Sequence, residues 1–162
     1  MGRPTFQAAW NAFVAVRVPV RAVGKLIGGN VQVNIEMPDG FENACAIRMS
    51  YVLNKTGFPI RKTSKFRMVS GGDRQQYIYR VDDMLAYLEQ HLGRPDKTVH
   101  APRPVAFAKM RGILVVKGHG WIGAQGHATL WDGQQCVDRC HFANDPENGT
   151  FVPKTASLWR LP

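Results

Sequence analysis

Cys45 is the first residue with chemistry to offer. Cys45, Met49, Val52 and Leu53 fall on one helical stripe, which predicts a helix from about Ala44 to Lys55 with the thiol at its start. A helix start carries free backbone N–H groups and the positive end of the dipole, and both favour thiolate over a thiol whose ordinary pKa is about 8.5. The same N–H groups, that of Cys45 included, are placed to receive the oxyanion of an attacked carbonyl. A buried structural cysteine would show the same spacing, so a functional reading needs a base within reach.

Asp132-Gly133 leads to that base. The pair is a two-residue hairpin signal between the runs His127–Trp131 and Gln134–Asp138. In that register Trp131 faces Gln134, Thr129 faces Cys136 and His127 faces Asp138, with opposed Cβ atoms about 4.5–5.5 Å apart on one face. Asp138 would hold one ring nitrogen of His127 and leave the other for Cys45. The plainer reading is a surface charge pair, and a one-residue bulge would break the register. His119, in Lys117-Gly118-His119-Gly120-Trp121, is a rival base ranked below His127 and read as structural or substrate-contacting. Trp121 beside it could wall a substrate groove. Arg48, close to Cys45 in sequence, is a candidate partner for substrate carboxylates. His91 and His100 read as surface residues, and His141 is ambiguous.

Cys136 and Cys140 admit three readings: two ordinary thiols, a disulfide that fixes Asp138 between them, or a metal site with His141 and His127. The spacing lacks a Cys-x-x-Cys pair or a second half-site, so the metal reading ranks last. Three cysteines are too few for a disulfide scaffold.

The elements that must position these groups follow from periodicity. Thr5 caps a helix carrying Phe6, Trp10, Phe13 and Val14; Val20, Val23, Leu26 and Ile27 suggest a second, stopped at Gly28-Gly29-Asn30. Residues 31–42 read as irregular. Asp82 caps a helix whose inner stripe is Met84, Leu85, Leu88 and Leu92. Residues 94–111 form a connector with three prolines, Ile113–Val116 is a strand, and Ser157–Leu161 is a candidate edge strand. Helices before strands argue for an α+β fold with an antiparallel sheet, in one domain spanning residues 1–162.

Composition sets the outer limits. With 44% hydrophobic and 20% charged residues the chain is globular rather than disordered, and no apolar run approaches the roughly 20 residues of a membrane span. Met1 to Val20 reads as an amphipathic helix rather than a secretory signal, and Phe6 stands where N-myristoylation wants Ser or Thr. The formal charge of +9 and the cluster Arg61, Lys62, Lys65 and Arg67 raise nucleic-acid binding as the alternative function. No helix-turn-helix, RNP-type or zinc-finger pattern accompanies the cluster, so it reads as a solvated cationic loop. A diffuse positive charge also suits a polyanionic matrix such as a bacterial cell wall.

Five segments together resemble one family: Ile27-Gly28-Gly29-Asn30-Val31, Asn43-Ala44-Cys45-Ala46-Ile47-Arg48-Met49-Ser50, Val116-Lys117-Gly118-His119-Gly120-Trp121, Gly126-His127-Ala128-Thr129-Leu130-Trp131, and Phe151-Val152-Pro153 with Leu158-Trp159. They are similar to the fourth family of type VI secretion amidase effectors. The resemblance implies a papain-like fold of the NlpC/P60 cysteine peptidase kind, with no cofactor and no metal. It implies a peptidoglycan amidase that cuts between D-glutamate and meso-diaminopimelate in the stem peptide, and delivery to the periplasm of a rival Gram-negative cell. The family's Cys–His–Asp set falls on Cys45, His127 and Asp138, and its paired cysteines on Cys136 and Cys140 as a disulfide. The implied partners are the stem peptide, the secretion apparatus and an immunity protein, a small helical dimer that blocks the active site; neither nucleic acid nor membrane is among them. Residues 122–125, Ile-Gly-Ala-Gln, depart from the polar or basic stretch expected there, which bears on substrate-loop contacts.

Overall fold

A computed structural model describes residues 2–122 and 124–162. Gly123, one of the four residues in the departing stretch 122–125, and Met1, at the head of the segment read for a leader, lie outside the described residues.

Among the described residues five α-helices come first, with a two-stranded ribbon among them. Helix α1 (Phe6–Val16) starts as its sequence predicts: the Thr5 hydroxyl accepts the Ala8 N–H, and Phe6, Ala9, Phe13 and Val16 are buried at helical spacing. Helix α2 (Val20–Ile27) also matches. The glycines after it do not lead into irregular chain, however; they turn a corner into α3 (Gly29–Glu36). Val31, Val33 and Ile35 alternate with polar residues, a period-2 pattern that conceals a helix. Only Val31 and Ile35, four apart, are buried, and Val33 is 56% exposed. The corner needs Gly29: its φ is +58°, and an added Cβ would fall 2.5 Å from backbone atoms of Gly71 and Gly72.

Helix α4 (Cys45–Lys55) places Cys45 at its first position. The segment that follows carries Arg61, Lys62, Lys65 and Arg67, all exposed, as a solvated cationic loop requires. Strands β1 (Met68–Ser70) and β2 (Gln76–Ile78) pair antiparallel. Helix α5 (Val81–Leu92) begins one residue before the expected cap. Asp82 sits with Asp83 in its first turn, where the dipole favours carboxylates, and no side chain caps it.

The main sheet contains β3 (Lys97–His100), β4 (Gly112–Trp121), β5 (Ala124–Trp131) and β6 (Val152–Arg160), all antiparallel, in the order β3-β6-β4-β5. Two expectations are corrected here. The connector 94–111 supplies a strand and a short 3-10 helix, Pro104–Phe107, and the C-terminal strand is interior, flanked by β3 and β4.

The sheet is buried on both faces. Ile113, Val115, Ala128, Leu130 and Trp159 pack with Phe13, Met49 and Leu88 from the helices. Leu114, Val116, Trp131 and Leu158 pack on the other side with Phe107, Phe142 and Phe151. That is why Ile113–Val116 is apolar without alternation. Among the described residues no helix is long and apolar enough to cross a membrane.

Candidate active site

The hairpin does not close on two residues. Asp132 N–H donates to the Gln135 carbonyl (3.0 Å), Trp131 bridges to Cys136, and Val137 N–H donates to the Leu130 carbonyl (2.9 Å). The cause is the Asp132 side chain, whose Oδ1 accepts the N–H groups of Gln134 (2.8 Å) and Gln135 (2.7 Å). Gly133 is at φ +105° while Asp132 is not in the left-handed region, so a tight type I′ turn is not formed. Residues 134–138 therefore form no strand, and Asp138 falls opposite Thr129 instead of His127.

The slip is two residues, and two residues preserve the face. Thr129 and His127 project from the same side of β5, so Asp138 meets both. The Thr129 hydroxyl donates to Asp138 Oδ1 at 2.5 Å, the Arg139 N–H adds a bond at 2.6 Å, and His127 Nε2 lies 3.1 Å from the carboxylate. With Nε2 held, Nδ1 is the nitrogen left for the thiol. Burial by itself would keep His127 neutral. The charge of Asp138, its hydrogen bond and the neighbouring Cys45 thiol outweigh burial and push the imidazole up to about 10. Burial likewise works against the Asp138 carboxylate, and the charge and hydrogen bond of His127 hold it below the usual carboxylate range.

Cys45 is 1% exposed, and it is the free cysteine among the described residues. Its backbone N–H donates to Asn43 Oδ1 at 3.0 Å. The expectation that this N–H is open for an oxyanion is thereby corrected: Asn43 occupies it. Cys136 and Cys140 form a disulfide with Cα atoms 5.4 Å apart, bracketing Asp138 and Arg139. The bond consumes both thiols of the metal reading.

The remaining candidates separate. Trp121 stacks on Phe151 (centroids 3.9 Å), donates Nε1–H to the Asn148 carbonyl (3.2 Å), and with Cys45 lines a cavity of about 710 Å³ that Ile122, Ala124 and Gln125 also border. His119 is exposed on β4 with its backbone opposite Val152, away from that lining. Arg48 donates Nε–H to the Val16 carbonyl (2.9 Å) and Nη2–H to that of Val18 (2.8 Å), clamping α4 to the end of α1.

Sequence reasoning missed two neighbours, Asn43 and Thr129, and left a third, His141, undecided. Asn43 lies two residues before the thiol, a spacing at which an Asn side chain accepts a backbone N–H in an Asx turn. Thr129 was two residues from His127 on the same strand face. His141, φ +59°, sets its ring edge-on to His127 (4.9 Å) and Trp121 (4.7 Å), anchored by Nδ1 to Asn148 Oδ1 at 3.1 Å. Burial, and then the charge of His127, lowers its pKa and favours its neutral form.

A buried thiol at a helix start, facing an imidazole that a carboxylate holds, is equipment for nucleophilic attack on a carbonyl. Comparison with known proteins agrees with a hydrolytic class. A family model described as type VI secretion system amidase effector protein 4 matches residues 41–159. Comparison with curated proteins by sequence returned no match. Among solved structures, the effector Tae4 from Salmonella typhimurium, in complex with the immunity protein Tai4 from Enterobacter cloacae, is 54% identical with a TM-score of 0.95, covering 99% of this chain and 100% of its own. Tae4 from Enterobacter cloacae, solved alone, is 49% identical with a TM-score of 0.92 and full coverage of both chains. The chain belongs to the type VI secretion system amidase effector 4 family.

Proposed function

We propose that this amidase effector is a cysteine hydrolase of the papain-like NlpC/P60 kind, one domain over residues 1–162, that cleaves the γ-D-glutamyl–meso-diaminopimelate bond of the peptidoglycan stem. The observation that carries the reading is the His127 imidazole, held at Nε2 by Asp138 at 3.1 Å beside the Cys45 thiol, an arrangement that raises its pKa. Cys45 as thiolate attacks the side-chain carbonyl of D-glutamate, forming the carbon–sulfur bond. N–H groups in the first turn of α4 other than that of Cys45, which Asn43 occupies, receive the oxyanion. His127 protonates the leaving amine of diaminopimelate, which departs, then removes a proton from the water that releases the thioester. Asp138 holds the ring in one tautomer throughout. Trp121 walls the cavity on the Cys45 side.

Substrate and destination agree. Type VI delivery brings the enzyme to the periplasm of a target cell, where the stem peptide is accessible and a disulfide such as Cys136–Cys140 persists. The solved complexes of Tae4 with Tai4 support neutralisation by a cognate immunity protein in the producing cell.

Purified sacculi incubated with enzyme, and products weighed by mass spectrometry, test the reading. Wild type is expected to release fragments cut after D-glutamate, and Cys45→Ala to release none while keeping its circular dichroism. Full activity in Cys45→Ala would remove the nucleophile.

A further inference from the structure

One cavity is lined by Cys45 and another by its neighbour His127, and their walls differ in charge. The first, about 710 Å³, contains Cys45 and presents the carboxylates of Asp39 and Glu42 against one arginine, Arg80, while its third carboxylate, Asp82, is paired with Lys117. The second, about 830 Å³, contains His127 and Asp138 and presents Arg17, Arg48 and Arg139. Asp138 is spent on His127. Arg139 is paired with Glu147. Arg17 and Arg48 are different. Arg17 Nη1–H donates to the Val137 carbonyl at 2.9 Å and Arg48 to the carbonyls of Val16 and Val18. Neutral carbonyls hold a guanidinium in place without cancelling its charge. Arg48 sits half-buried on α4, and Arg17 is exposed at the end of α1, so Arg17 is the one that meets a ligand arriving from solvent.

A general acid must reach the nitrogen it protonates, so the leaving part of the substrate extends on the His127 side. In the reaction proposed above, on which this inference rests, that part begins at diaminopimelate and ends in a D-alanine. It carries free carboxylates, the C-terminal one among them, which the arginines of the second cavity attract. We propose that the second cavity is the subsite for the leaving peptide, with Arg17 binding a carboxylate C-terminal to the scissile bond and Arg48 reinforcing the field behind it. Arg17 is here a specificity residue; it holds the product side of the stem in register with His127.

The test compares two substrates, L-Ala-γ-D-Glu-meso-diaminopimelate-D-Ala and the same peptide with its C-terminus amidated. Wild type should favour the free acid about tenfold in kcat/KM, the size of one charge-assisted contact of about 1.4 kcal/mol. Arg17→Gln should bring the ratio close to one, and Arg17→Lys should restore most of it. The ratio is independent of the fraction folded, so a destabilised variant still reports. Equal rates in wild type, or an unaltered preference in Arg17→Gln, would overturn the subsite and leave the amidase reading standing, since both peptides are cut. Cleavage of neither peptide by wild type would overturn both.

Discussion

His127 and Asp138 define each other's charge. Burial favours a neutral ring and a neutral acid; the pair escapes that penalty because each charge faces the other, and Thr129 and the Arg139 N–H occupy further lone pairs of the carboxylate. Asp138→Asn keeps the shape and removes the charge. Turnover of the stem peptide should fall about 10²–10⁴-fold, by analogy with removing the acid of a triad, and an unchanged rate would take Asp138 out of the mechanism. The same variant has a pH signature. The folded pKa of His127, about 10, lies above its ordinary 6.5, so its stabilisation is complete below about pH 6.5 and is lost as pH climbs toward 10. That of Asp138 lies below its ordinary 3.8, so its share is present above about pH 4 and is lost on acidification. Urea denaturation should therefore separate wild type from Asp138→Asn most widely between about pH 4 and 6.5, the gap closing toward pH 10. A gap that is constant from pH 5 to 10 would mean the pair is not ionised as drawn.

At the scale of elements, the loop from Asp132 to Cys140 does what a strand was expected to do. It has one bridge to β5, and the disulfide closes it just beyond Asp138. Chain entropy gives so short a loop about 2 kcal/mol. Cys136→Ser should cost that much in oxidising buffer and lower activity, because Asp138 loses its restraint; in reductant wild type and variant should converge. Thermal melts and turnover in both buffers check it, and identical behaviour would reduce the bond to decoration. The sequence made the residue types and the shared face of His127 and Asp138 readable, since face depends only on parity. It hid the register, because Asp132 prefers to bond its own following N–H groups, and that choice is invisible to a dipeptide rule. Helices α1, α2, α4 and α5 showed their period. Helix α3 did not, because its solvent-facing Val33 completed a false strand pattern. Asn43 and His141 join the site through a turn ahead of α4 and a loop, which have no period to read.

The whole molecule depends on contacts between chain segments far apart in sequence, and strand order is the least legible of them. Nothing local in β6 says that it lies between β3 and β4; only the pairing of Gly112 with Arg160 and of Lys97 with Leu158 does. The same long reach ties the first residues to the last strand. Phe6 N–H donates to the Pro162 carbonyl at 2.7 Å, and the Arg3 fork spans the Asp96 carboxylate (2.6 Å), the Arg160 carbonyl (2.9 Å) and the Leu92 carbonyl (2.8 Å). As an exposed ion pair alone, Arg3–Asp96 would contribute at most about 1 kcal/mol and fade with salt. The two carbonyls change the expectation, because hydrogen bonds from a charged donor are worth about 1.5–3 kcal/mol and the one to Leu92, being part-buried, resists screening. Arg3→Met should thus lower the unfolding free energy by about 2 kcal/mol, nearly the same at low and high ionic strength. Asp96→Asn, which removes only the charge of one acceptor, should cost less and vary with salt. Urea titrations at two salt concentrations separate the cases. A small, salt-sensitive loss in Arg3→Met would leave the N-terminal segment as a surface attachment, and the helical layer would then rest on the sheet through its apolar face alone.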